Sequence, residues 1–176
     1  MGSSTSSGLR YPASTDVPNI AQDIQNLATD VQAYFAPAAN AALTKPVLTT
    51  AVENAYVQAT AMTGTIAVYA ATNTLNYFTS NATGSFTLNL TYSQSTTINN
   101  ILSLGQAITY VVLNTNGSTP YYLTGLQIDG TSVTPKWQGG IAPSAGNASA
   151  IDAYNFTLIK TANATFTVLA SLTKFA

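Results

Sequence analysis

Ser85-Phe86-Thr87-Leu88-Asn89-Leu90-Thr91-Tyr92 alternates apolar and polar residues without a break. A period of two puts Phe86, Leu88 and Leu90 on one face of an extended strand and Thr87, Asn89 and Thr91 on the other, a pattern that a helix cannot use. Similar runs follow one another at roughly ten-residue spacing: Thr65–Tyr69, Leu75–Thr79, Ala107–Leu113, Tyr121–Ile128, Ile151–Ile159 and Thr165–Phe175. Thr65–Tyr69 and Leu75–Thr79 read as adjacent strands. Asp129-Gly130 is a tight hairpin signal ahead of Ser132-Val133. Lys160–Ala164 reads as the turn between the last two strands, and Ser95–Gly105 as a short helical turn that Gly105 stops. The predicted fold class is mainly β, with a C-terminal antiparallel, jelly-roll-like β-sandwich of seven or eight strands over residues 61–176.

The composition changes near residue 60. In the N-terminal part the apolar residues Ile20, Ile24, Leu27, Val31 and Tyr34 are spaced 4, 3, 4 and 3 apart, which is a heptad seam. Pro18 fits the first turn of a helix capped by Asp16 or Val17, and Pro37 ends it. Asp16, Asp23 and Asp30 repeat every seven residues along one flank of the seam. A helix of ~16 residues is marginal alone in water. It therefore packs on its own domain or joins a parallel bundle of identical chains, and isoleucine at successive seam positions leans towards three or more strands. The chain then divides into an extended arm (1–16), a trimerising helix (17–36), a linker (37–60) with room for a helical turn at 38–43, and the β head (61–176). Ile20, Ile24, Leu27 and Val31 are the trimerisation residues of this reading.

Charge limits the function classes. Only 6% of residues are charged, against a usual ~25%, and about one residue in six is Thr. Five Lys and Arg, scattered along the chain, do not make a nucleic-acid footprint. No run of ~18 apolar residues offers a membrane span. A β protein usually guards its edges with Lys; this one carries Lys136, Lys160, Lys174 and little else after residue 60. Burial against copies of itself is the simplest account of such a surface, and a high-salt setting is a second.

With no His and no Cys, the chain has no imidazole base, thiolate or Cys/His metal site. For the same reason, stability is expected to change little between about pH 6 and 8. Asp129 and Asp152 are the two carboxylates of the head. Asp129 sits where turns favour Asp for backbone reasons and Asp152 opens a strand, so neither suggests a hydrolytic pair. Calcium would need a denser set of oxygen ligands than the sequence shows there. No catalytic, cofactor or metal residue is assigned. Val133-Thr134-Pro135-Lys136-Trp137-Gln138-Gly139-Gly140 holds the single Trp beside two glycines that let the backbone bend sharply. Trp137 is either a loop or subunit anchor or a sugar-stacking platform with Gln138 and Lys136 as hydrogen-bonding neighbours. Tyr121 and Tyr122 point to opposite faces of an extended chain, one ring buried and one exposed, which adds Tyr121 to the candidate glycan contacts.

The segment Leu9-Arg10-Tyr11-Pro12 with Asp16-Val17-Pro18-Asn19-Ile20-Ala21-Gln22-Asp23-Ile24-Gln25-Asn26-Leu27-Ala28 resembles the opening of tail and fibre proteins of tailed bacteriophages. Ile128–Gly140, Ala142-Pro143, Gly146–Ala148 and Thr165–Ser171 resemble virion structural proteins of marine cyanophages. The resemblance implies a component of the phage particle surface, a short homotrimeric fibre or decoration protein. Leu9, Arg10, Tyr11 and Pro12 would dock it to other virion proteins of tail, neck or head, and the head would project. It implies no enzyme activity and no cofactor. A host-surface glycan adhesin is the alternative function.

Overall fold

A computed structural model describes residues 3–4, 10–11, 20–35 and 52–176. The chain divides into two units, Met1–Ala51 and Val52–Ala176. In the first, β1 (Ser3–Ser4) pairs antiparallel with β2 (Arg10–Tyr11), Ser3 opposite Tyr11 and Ser4 opposite Arg10. Helix α1 spans Ile20–Phe35. Asp23 lies in its first turn, where a negative charge complements the helix dipole. Gln22 Nε2 donates to Asn26 Oδ1 at 3.1 Å, a one-turn side-chain pair. The expected caps at residues 16–18, the stop at Pro37 and the turn at 38–43 lie outside the described residues.

The second unit is built from two mixed sheets that enclose one core. Its strands are β3 (Ala55–Gln58), β4 (Gly64–Tyr69), β5 (Leu75–Phe78), β6 (Phe86–Thr91), β7 (Ala107–Thr115), β8 (Leu123–Ile128), β9 (Thr131–Val133), β10 (Lys136–Trp137), β11 (Ile151–Ala162) and β12 (Thr165–Phe175). A four-residue helix, α2 (Ile98–Ile101), precedes β7. The larger sheet has the order β10-β12-β11-β7-β5-β3, and the smaller β4-β6-β8-β9.

This arrangement corrects the expected antiparallel sandwich. From β3 to β8 the chain passes from one sheet to the other at every strand. Therefore β3, β5 and β7 are parallel neighbours, as are β4, β6 and β8. A parallel pair needs a connection that returns to the same end of the sheet, and here the return path is a strand of the opposite sheet. Accordingly β4 and β5, expected as neighbours, lie in different sheets. Only the β7-β11-β12 stretch and the β8–β9 hairpin are antiparallel. β3 also falls inside the segment read as linker.

The alternation itself is realised. Phe86, Leu88 and Leu90 are buried, with Thr87 and Asn89 half-exposed between them. The β8–β9 turn is the expected two-residue hairpin, with Asp129 at φ 50° and Gly130 at φ 81°; positive φ at both central positions matches the right-handed twist of the strands. Tyr154 joins the two layers. Its ring meets Phe86 edge-on at 5.8 Å and its hydroxyl accepts the Leu123 N–H at 3.1 Å. Tyr110 does the same from β7, donating its hydroxyl to the Thr91 carbonyl at 2.8 Å. Burial raises the pKa of both hydroxyls, so they stay neutral.

Candidate functional site

Trp137 lies at the outer edge of the larger sheet, because the two-residue strand β10 pairs with β12 there, Trp137 opposite Ala170. Gly139 and Gly140, at φ 74° and 76°, turn the chain away immediately afterwards. This is the sharp bend that two glycines permit. The indole packs edge-on against Phe156, centroids 6.2 Å apart, and is half-buried. The structure therefore gives Trp137 an anchoring role, and two concave surfaces meet at its ring.

The first is a cleft of about 400 Å³ between Trp137, Tyr122, Thr124, Pro135 and the loop residues Ala142 and Pro143. It joins an aromatic floor to hydroxyl and backbone groups and contains no charged residue, chemistry suited to a neutral polyhydroxylated ligand. The second, of about 390 Å³, places Lys136 and Gln138 beside Asn155, Thr157 and Ser171. Gln138 follows Trp137 in the chain and lines the second surface, not the first. Tyr121 lines neither: it packs against the core, and Tyr122 faces the cleft instead. Both rings are half-buried, rather than one buried and one exposed. The pair precedes β8 instead of lying within a strand, so strand alternation does not govern the two side chains.

The carboxylates do separate work. Asp129 Oδ1 accepts the Ile98 N–H at 2.8 Å and the Thr91 hydroxyl at 2.9 Å, and Oδ2 accepts the Asn99 N–H at 3.0 Å. These are free amides of the first turn of α2, so the hairpin carboxylate caps that helix from a distance. Lys160 Nζ secures the other end through the Leu102 carbonyl at 2.8 Å. Asp152 is wholly buried at the start of β11. Desolvation pushes its carboxyl above the ordinary Asp range, against the opposing pull of the Asn147 N–H, Lys174 and the Asn116 amide. Nothing in the sequence separates these two roles, because the partners are 5 to 38 residues away along the chain.

In α1, Ile24 is 63% exposed and Leu27 44%. Partial burial falls on Asp23, Asn26 and Asp30. The side chains of Ile20 and Val31 lie outside the described ones, as do Leu9 and Pro12 entirely, while Arg10 and Tyr11 form β2. Among the described residues no helix is long and apolar enough to cross a membrane, and no three His, Cys, Asp or Glu side chains gather as a metal site would require. Against known proteins, no family model, no curated protein and no solved structure matches this chain.

Proposed function

We propose that this chain is a structural component of a tailed-bacteriophage particle, a short homotrimeric fibre or decoration protein held to other virion proteins by its N-terminal segment, with the β head projecting from the particle surface. The observation that carries the reading is the apolar seam of α1, where Ile24 and Leu27 face solvent in the single chain. A marginal helix that leaves Ile24 and Leu27 uncovered gains stability by packing on copies of itself.

A second surface supports self-association. On the outer face of the larger sheet, Val57, Tyr77, Leu113 and Ala153 stand in register across four strands, beside the row Ala55, Leu75 and Val111. Within the strands, Lys136 at the far edge is the one charged residue of that face. The outer face of the smaller sheet carries Ala67, Asn89, Gln127 and Ser132 in register, with Thr65 and Thr87 alongside. The apolar patch lies at the β3-β5-β7 end of the larger sheet; towards β11 and β12 the same face carries Thr109, Thr157, Asn155 and Ser171. The apolar end of this face, distant from Lys136, meets a second copy of itself without like-charge repulsion.

The test is imaging of purified phage particles with gold-labelled antibody raised against the full chain. Label at a fixed position on the tail, neck or head is expected. Label confined to unassembled protein rejects the assignment.

The Trp137–Tyr122 cleft favours a second reading of the head, a host-surface glycan adhesin. Aromatic stacking supplies most of the affinity in such a cleft. In that case Trp137→Ala reduces glycan-array binding at least about tenfold, the loss of ~1.4 kcal/mol or more. Array signals equal for wild type and variant exclude the cleft as the site.

A further inference from the structure

Asn114 on β7 and Asp152 on β11 are directly opposed in register, and both are fully buried. The donors around this pair end on Asp152 Oδ2 and on Asn116 Oδ1. Asn116 Nδ2 and the Asn147 N–H both donate to Asp152 Oδ2, at 3.0 and 3.1 Å. Asn114 Nδ2 donates to Asn116 Oδ1 at 3.1 Å, and the Tyr121 N–H donates to that same oxygen at 3.0 Å. The Tyr121 amide therefore fixes which way the Asn116 side chain points, and Asn116 in turn fixes Asn114. Two oxygens, Asp152 Oδ1 and Asn114 Oδ1, are left buried with no donor.

Two bare acceptors on opposed residues form an unfavourable arrangement, and a buried carboxylate with one oxygen bare is worse still. One proton removes both defects. We propose that at mildly acidic pH Asp152 is the neutral acid, donating from Oδ1 to the Asn114 side-chain oxygen, and that this proton pins two walls of the Trp137 cleft. The walls are the residues its partners hold. Asn116 fixes Tyr121, next to Tyr122, and Asn147 lies on the same loop as Ala142 and Pro143. The contact is tight: a Cβ at Gly146 would strike the Tyr121 carbonyl and the Asn116 amide.

The groups around Asp152 are few. Lys174, opposite it on β12, is the facing cation and favours the ionised form. Tyr154 on its own strand is neutral, with its hydroxyl turned to Leu123. β7 contributes Asn114, and the loops contribute Asn116, Tyr121, Tyr122 and Asn147. A calcium ion takes six to eight oxygens, and only two are free here. Burial raises the affinity of Asp152 for its proton. This stabilisation is complete below the ordinary Asp range and is lost as pH rises through the elevated value.

The test uses the full chain, with Asp152→Asn as a permanent mimic of the neutral acid. Its amide can donate to Asn114 while its oxygen still accepts from Asn116 and Asn147. The variant is expected to melt about 4 °C or more above wild type at pH 8, with the gap closing on acidification. In wild type, the Asp152 carboxyl carbon is expected to titrate by NMR above the ordinary Asp value of about 3.9. A variant that melts at or below wild type at pH 8 overturns the proposal. So does a carboxyl midpoint at or below the ordinary value, which would leave a water or an ion between the oxygens. A calcium-dependent rise in the wild-type melting temperature that disappears in the variant would reassign the pair to a cation. Should the variant fail to fold, the wild-type titration decides alone.

Discussion

Tyr154→Ala destabilises the β head by about 4–8 kcal/mol, measured by urea unfolding of the full chain. Truncating a fully buried aromatic costs about 3–5 kcal/mol through lost transfer energy and the residual cavity. Tyr154 is 0% exposed, stacks on Phe156 at 6.4 Å and meets Phe86 at 5.8 Å. Its removal also strips the Leu123 N–H of its acceptor, which adds about 1–3 kcal/mol for an unsatisfied buried donor. The total takes much of the ~5–15 kcal/mol that a domain of this size has available, so the variant is partly unfolded without denaturant. Tyr154→Phe keeps the ring and loses only the hydrogen bond, with an expected cost of about 1–2 kcal/mol. Comparable losses in the two variants would show that the hydroxyl, and not the ring packing between sheets, holds the layers together.

If the proposed trimer assembles through α1, Ile24→Asp with Leu27→Asp converts it into single chains at micromolar concentration. In a three-helix bundle the pair introduces six carboxylates into the seam, each desolvated without a partner. Association weakens by at least about 10³-fold, and sedimentation velocity moves from the trimer to the monomer. Because both side chains are exposed within one chain, the β head keeps its far-ultraviolet spectrum. An unchanged sedimentation profile rejects the helix as the trimerising element. A shift to a dimer would retain the seam and reject the copy number.

Much of the head was legible in the residues because burial writes a local pattern. Phe86, Leu88 and Leu90 face inward in the structure as their alternation requires. Asp129-Gly130 makes the hairpin that its backbone preferences demand. The last two strands pair antiparallel across a short turn. Pairing order was not legible. Period-two alternation states which side of a strand is apolar, and the same side is apolar whether the neighbour is parallel or antiparallel. The coil of β3 to β8 between two sheets therefore looked like a series of hairpins. Tyr122 took the place given to Tyr121 for a related reason: outside a strand, side-chain direction follows the local backbone path.

The amino-acid sequence alone determined that the chain is mainly β, that residues 20–35 carry the apolar spacing of a short helix, and that charged side chains are few. Those properties depend on residues close together along the chain and on composition. Tertiary structure decided which strands became neighbours, which Tyr entered the cleft, and what the two carboxylates of the head do. Asp129 and Asp152 look interchangeable in one dimension. In the fold one caps a distant helix and the other is buried beside an unpartnered amide oxygen, because hydrogen-bond partners and dielectric surroundings are assembled by the packing of segments far apart in the chain.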